Sequence, residues 1–322
     1  MGTSRSIAVV GMRTAAPSGF RADIASALSI VRGRPYLWLL GIIGFSLRGG
    51  IVLLTLPIIV LPTQVEVRLA LGNSLTSTGL ADGFWLLAAG ATLLTLAVLL
   101  LVLVALARLE IATFRQLVDD PHSADQRFGA EPHALDRRAR RALISRLYVV
   151  QSTALVAILL SAIPLAAGLG DATLRELVAP SSSDPVFVRV LSQVRGLVLV
   201  VVATVFVAEL FSATASRRLL IRATGLTRRG TFTRHPLRML AVAVLGWGLF
   251  IGTLAAGAWA ISLAWEATRS VFLSAGWSGQ AEQAVALMAA SVLLAAVFAL
   301  VLLACGIVSA LRGSLWSLAS LR

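Results

Sequence analysis

The 322-residue chain has no lysine and few of the residues on which most binding and catalytic sites depend. Its single cysteine, Cys305, excludes a disulfide framework and any cysteine-based zinc or iron–sulfur site. The three histidines, His122, His133 and His235, lie far apart in polar segments. The sequence therefore predicts no metal site, no cofactor and no catalytic residue.

Charge is scarce as well. Charged residues make up 13% of the chain and hydrophobic residues 58%, and the mean hydropathy is +0.89. Soluble proteins carry about 25% charged residues. Because this chain has too few polar side chains to cover a surface in water, we expect an integral membrane protein whose principal partner is the lipid bilayer.

Six apolar segments reach the length of about 20 residues that a membrane-spanning helix needs. They are continuous and rich in leucine and alanine, whereas barrel strands alternate over roughly ten residues. The predicted fold class is an all-α, polytopic transmembrane helix bundle of three hairpins. The predicted spans lie at about residues 36–61, 84–107, 147–169, 196–215, 239–263 and 284–311. They form a transmembrane domain at 36–312, between an N-terminal segment at 1–35 and a tail at 313–322.

The 28 basic residues, all arginine, are distributed unevenly around these spans. Twenty-two lie on the side of the two termini and five on the other side, with Arg48 inside the first span. Since cytoplasmic loops carry the excess of basic residues, both termini are predicted to be cytoplasmic. We expect a multi-pass protein of the bacterial inner membrane. Arginines that flank spans favour anionic lipid headgroups at the cytoplasmic face as partners and argue against nucleic acid.

Arg48 is the one arginine predicted to lie within the membrane. It follows Tyr36 by 12 residues, which places it about 18 Å deep, and it needs an acceptor in the bundle interior. Glu209 is the expected partner, with Glu110 at a shallower position and Gln151 completing the network. Three interpretations stay open: a functional polar site, an ion pair that fixes helix register, or a span that starts later with Arg48 in a break.

Small residues recur every four positions in the fifth span, at Gly248, Gly252, Ala256 and Ala260. Residues at this spacing share one helix face and let two backbones approach closely. The stripe predicts either the centre of the bundle or the face of a homo-oligomer.

Two spans begin after similar dipeptides, Arg34-Pro35 and His235-Pro236, and two helices end with polar stretches at Glu110 and Glu209. In these features the chain resembles the six-span bacterial membrane proteins that accompany glycerophosphodiester phosphodiesterases, or six-span families without an assigned activity. The resemblance implies a helical membrane domain and supplies no catalytic residue.

The functional hypothesis from the sequence is a non-enzymatic protein. It would be a permease-like protein, or a subunit of a membrane complex, with its polar centre near Arg48 and Glu209. One alternative is the membrane half of an ATP-driven transporter. Because the chain has no phosphate-binding loop, the ATPase would be a separate protein. The other alternative, the membrane domain of a lipid-handling enzyme, is disfavoured because the acids and histidines are scattered.

Overall fold

The structure, a computed structural model, describes residues 20–59, 75–76, 79–80, 82–118, 136–178, 186–225, 236–274 and 281–321. These residues form nine helices and one short antiparallel strand pair. The helices are α1 (Phe20–Gly33), α2 (Pro35–Leu47), α3 (Gly50–Thr55), α4 (Asp82–Val118), α5 (Arg137–Val178), α6 (Val186–Gln193), α7 (Arg195–Ala223), α8 (Pro236–Ser274) and α9 (Ala281–Leu321). The strands are β1 (Leu75–Thr76) and β2 (Gly79–Leu80), with Leu75 opposite Leu80.

Five helices, α4, α5, α7, α8 and α9, are long and apolar enough to cross a membrane. At most 22% of the most apolar window of each is buried inside the protein. Large side chains such as Leu86, Leu101 and Val292 face outward. An apolar surface of this extent is stable against lipid rather than water. The predicted all-helical membrane bundle is confirmed at this level.

The first predicted span is not one continuous helix. Pro35 opens α2, where its missing N–H costs nothing, and α2 ends at Leu47. Arg48 and Gly49 then interrupt the helix, and Gly49 has a φ of 81°, a conformation that glycine adopts at little cost. The short helix α3 continues to Thr55. Arg48 therefore lies at a break, as one interpretation predicted, although the helix begins at Pro35 and not later.

The helix α9 lies at the centre of the packing. It runs along α8, α2 and α1 and also contacts α7 and α4, while α5 pairs with α7. Near one end of the molecule a hydrophobic cluster joins α1, α2, α8 and the last turns of α9, with Ala27, Val31, Val242 and Leu315 at its centre. The α9 helix continues to Leu321, beyond the predicted end of the sixth span at residue 311.

Two glycines let α2 and α9 pack closely. A Cβ atom at Gly41 would lie 2.9 Å from the carbonyl carbon of Gly306, and one at Gly306 would lie 3.0 Å from the backbone nitrogen of Ile42. Both neighbours are backbone atoms, which cannot rotate away as a side chain would. This crossing fixes the position of α2, and with it the position of Arg48 at the end of α2.

The small-residue stripe of the fifth span faces away from the rest of the chain. Gly248, Gly252 and Ala256 are exposed and Ala260 is half-buried. No atom of the described residues lies within 4 Å of a Cβ built at either glycine. The close contacts of α8 with α9 occur instead at other positions of α8, Gly246 and Gly257. The stripe therefore does not form the centre of this bundle, and its alternative role as a face for a second copy stays a prediction.

Candidate functional site

Arg48 forms an ion pair with Glu110, where α2 packs on α4. The distance between Arg48 Nη2 and Glu110 Oε1 is 3.9 Å. The Glu110 side chain is only 12% exposed, whereas that of Arg48 is 56% exposed. At Gly44, one turn before Arg48, a Cβ atom would lie 3.0 Å from Leu109 Cδ2, so the absence of a side chain lets α2 approach α4 here. Arg48 thus has an acceptor, as predicted, but it is the shallower of the two predicted acids.

Glu209, the expected partner of Arg48, is paired with a different arginine. Its Oε1 accepts a hydrogen bond from Arg312 Nη2 of α9. The Arg312 guanidinium carbon also lies 5.2 Å from the ring centre of Trp247 and 5.6 Å from that of Phe250, both on α8. Such cation–π contacts stabilise a guanidinium away from water. The predicted Arg48–Glu209 pair is therefore replaced by two separate pairs, because α9 lies between α2 and α7.

A third arginine, Arg217, is buried near the first pair. It follows Glu209 by about two turns of α7. Among the described residues, its Nε and Nη1 have no hydrogen-bond partner, and the same holds for Glu110 Oε2. Burying a charged group is favourable only when its polar atoms find partners. Arg217 and Glu110 are thus buried groups with unused hydrogen-bonding capacity.

Both groups line one small cavity. Its volume is about 50 Å³, and its wall also contains Arg48, Ser309 and Ser314. A water molecule needs roughly 10–15 Å³ of such space, so the cavity has room for one or a few waters. It is the meeting point of four helices, α2, α4, α7 and α9. Its charged wall residues are Arg48, Glu110 and Arg217. We call these three residues, together with the Arg312–Glu209 pair on α9 and α7, the charge cluster.

With every group ionised, the charge cluster carries three positive charges and two negative charges. It can hold water, order a small polar solute and fix the register of four helices. It does not pair a nucleophile with a base. In the described part of the chain, no three His, Cys, Asp or Glu side chains are placed to bind a metal ion.

Gln151 does not join the charge cluster. It is buried on α5, a helix that contributes no residue to the cavity wall. Its Oε1 has no hydrogen-bond partner among the residues that the structure describes. The structure therefore pairs two of the four predicted polar residues, Arg48 and Glu110, while Glu209 belongs to a separate pair and Gln151 lies on α5.

Sequence reasoning missed Arg217 and Arg312 as members of the site. Both stand near the cytoplasmic end of an apolar segment, so both were assigned to the topology-determining arginines. A signal was present for Arg312, because apolar residues recur beyond it at Leu315, Trp316 and Leu318. That pattern extends the helix and places Arg312 inside it.

Another ion pair, which the sequence did not predict, is buried between α5 and α6. Arg189 Nε is 3.1 Å from Glu176 Oε2, and both side chains are buried. Gln193 Nε2 donates a hydrogen bond of 2.7 Å to Glu176 Oε1. This pair anchors the short helix α6 to the end of α5.

Five long apolar helices indicate a membrane protein, and the charge cluster gives that protein a polar centre. No family model, curated protein or solved structure matches the chain.

Proposed function

We propose that the chain is a six-span protein of the inner membrane, with both termini in the cytoplasm. The uneven arginine distribution supports this orientation. The stretch Pro35–Thr55 supports a first span despite its break, because 21 residues at 1.5 Å each extend about 31 Å. The hydrocarbon core of a bilayer is about 30 Å thick.

We further propose that the protein is non-enzymatic, and is either permease-like or a subunit of a membrane complex built around the charge cluster. The observation that carries this proposal is a small cavity between four helices whose wall contains three charged side chains, Arg48, Glu110 and Arg217. A second ion pair, Arg312–Glu209, joins two of the same helices, α9 and α7. Charged residues inside a membrane are costly to insert and typically mark polar pathways or sites. The helix break at Arg48 adds support, since many transporters place their binding sites at discontinuous helices.

The first test separates a complex subunit from a protein that acts alone. The tagged full-length chain is purified from native membranes in mild detergent, and co-purifying proteins are quantified. A subunit retains a partner in fixed ratio, and a co-purifying ATPase would favour the ATP-driven transporter instead. A permease-like protein is recovered alone and, in liposomes, allows ions or small solutes to leak faster than protein-free liposomes do.

The variant Glu110→Gln, which is nearly isosteric, then tests the charge cluster. It leaves Arg48 and Arg217 without their carboxylate, so we expect loss of partner retention or at least a tenfold change in solute flux. Glu266→Gln is the matched control, since Glu266 is exposed on α8. If Glu110→Gln retains its partner and its flux as Glu266→Gln does, the charge cluster is not the functional centre.

A further inference from the structure

A long apolar groove lies between α5, α7 and α8, separate from the charge cluster. Its volume is about 610 Å³, within the range of roughly 300–1,000 Å³ that ligand pockets occupy. The groove and the cavity of the charge cluster share no wall residue. The groove forms because α7 packs along α5 while α8 packs along α9, so that α7 and α8 diverge.

The wall of the groove is apolar over most of its length and basic at one end. Along α7 it runs from Val207 to Arg222, about 22 Å at 1.5 Å per residue. Arg218 and Arg222, one helical turn apart and both exposed, stand at the end where α7 finishes. Among the wall residues that the structure describes, the one other polar side chain is Thr214, which donates its hydroxyl to the backbone oxygen of Leu210 at 2.8 Å. The described part of the wall therefore offers apolar contact along its length and two arginines at one end.

These dimensions favour an alkyl chain over a protein segment. A volume of 610 Å³ for the centres of water molecules, spread along about 22 Å, corresponds to roughly 6 Å for those centres and about 9 Å between the walls. A helix with its side chains is about 10–12 Å across and does not fit. An alkyl chain fits, because it is narrower than the groove and its carbons pack against apolar wall atoms at about 4 Å.

We propose that this groove binds an anionic phospholipid, with one acyl chain along Val207, Phe211 and Leu240 and the phosphate at Arg218 and Arg222. The charge at the end of the groove matches a headgroup that carries net negative charge, since a zwitterionic headgroup also brings a cation toward the arginines. Guanidinium groups bind phosphate through paired hydrogen bonds. In the proposed topology this end of α7 is cytoplasmic, so the lipid belongs to the inner leaflet.

Thermal unfolding of the purified full-length protein in neutral detergent tests the site. The additives are phosphatidylglycerol, phosphatidylcholine with the same acyl chains, and inorganic phosphate. We expect phosphatidylglycerol alone to raise the unfolding midpoint, by roughly 5 °C at saturation, because a ligand that binds only the folded state stabilises it. Equal stabilisation by phosphatidylcholine, or by inorganic phosphate, would overturn the proposal of an anionic lipid site.

Two variants and one control locate the effect. The pair Arg218→Gln and Arg222→Gln removes the charge, and Ala215→Phe narrows the groove at its wall. Each is expected to reduce the lipid-dependent rise at least fivefold. The control pair Arg137→Gln and Arg138→Gln removes the same charge from exposed positions of α5 outside the groove and leaves the rise intact. If the control variant loses the lipid-dependent rise in unfolding midpoint as fully as the Arg218→Gln and Arg222→Gln variant, the lipid is attracted by general surface charge. That result would disprove the site.

Native mass spectrometry supplies a second readout in case Ala215→Phe does not fold. Phosphatidylglycerol retained by the arginine pair variant is compared with that retained by the wild-type chain. If the arginine variant retains as much phosphatidylglycerol as the wild-type chain, the proposal is overturned, whether or not Ala215→Phe folds. Since neither readout involves partner retention or solute flux, the lipid site and the proposed function can fail independently.

Discussion

Arg312 combines an ion pair with Glu209 and contacts with two aromatic rings, Trp247 and Phe250. Replacing it with glutamine leaves the Glu209 carboxylate without its cation. Removing one partner of a fully buried pair costs about 3–5 kcal/mol. Because the Glu209 side chain is still 34% exposed, we expect Arg312→Gln to lower the free energy of unfolding by about 2 kcal/mol. The unfolding midpoint in detergent measures this loss.

The double variant Arg312→Gln with Glu209→Gln is the control for that loss. If the two side chains interact directly, the double variant is more stable than the sum of the single losses predicts. Arg269→Gln removes an exposed arginine of α8 and is expected to leave the midpoint unchanged. Strictly additive losses would mean that Arg312 stabilises the protein through its aromatic contacts and not through Glu209.

The residues of the charge cluster could be predicted from the sequence only in part. A glutamate inside an apolar segment is conspicuous, so Glu110 and Glu209 were found. Which arginine faces which glutamate depends on the order of helices around α9, and depth along a span carries no information about that order. Arg48 and Glu209 have compatible depths, yet α9 lies between their helices and supplies Arg312.

At the scale of helices, the crossing of α2 and α9 depends on Gly41 and Gly306. In Gly41→Ala the new Cβ meets the Gly306 backbone, so α2 must move away from α9. Overpacking of this kind costs about 1–3 kcal/mol. We expect Gly41→Ala to lower the stability by about 2 kcal/mol, measured as the unfolding midpoint in detergent.

Gly248→Ala is the matched control for that prediction, because no atom in the described part of the chain lies within 4 Å of a Cβ built there. Alanine also has a higher helix propensity than glycine, so the midpoint stays unchanged or rises slightly. If Gly248→Ala lowers the unfolding midpoint as much as Gly41→Ala does, contacts within the chain do not explain the loss at Gly248. In that case the outward stripe is buried against another molecule.

The helices themselves were more predictable than their packing. Long apolar segments anticipated the five long helices, because their length and hydropathy are properties of the sequence alone. One interpretation of Arg48 placed it in a break of the first segment, and the structure has that break. The stripe of small residues at Gly248 was expected at the centre of the bundle or at an oligomer face, and it does not lie at the centre. Small residues allow close packing, but they do not determine which face of α8 packs against α9.

For the whole molecule, the open question is how many times the chain crosses the membrane. Five helices are long enough by themselves, and the sixth crossing depends on α2 and α3 acting together across the break. An even number of crossings places both termini on one side, and an odd number places them on opposite sides. The location of the N-terminus relative to the loops therefore decides between six spans and five.

Single-cysteine labelling in intact cells measures this location. The background Cys305→Ala removes the one native thiol, and cysteines then replace Ser6, Ser123, Ser182 and Ser278 one at a time. For six spans with cytoplasmic termini, we expect a membrane-impermeant maleimide to label positions 182 and 278 in intact cells. Positions 6 and 123 are expected to react only after permeabilisation. Labelling of position 6 in intact cells, with position 123 still protected, would mean that Pro35–Thr55 does not cross and that the chain has five spans.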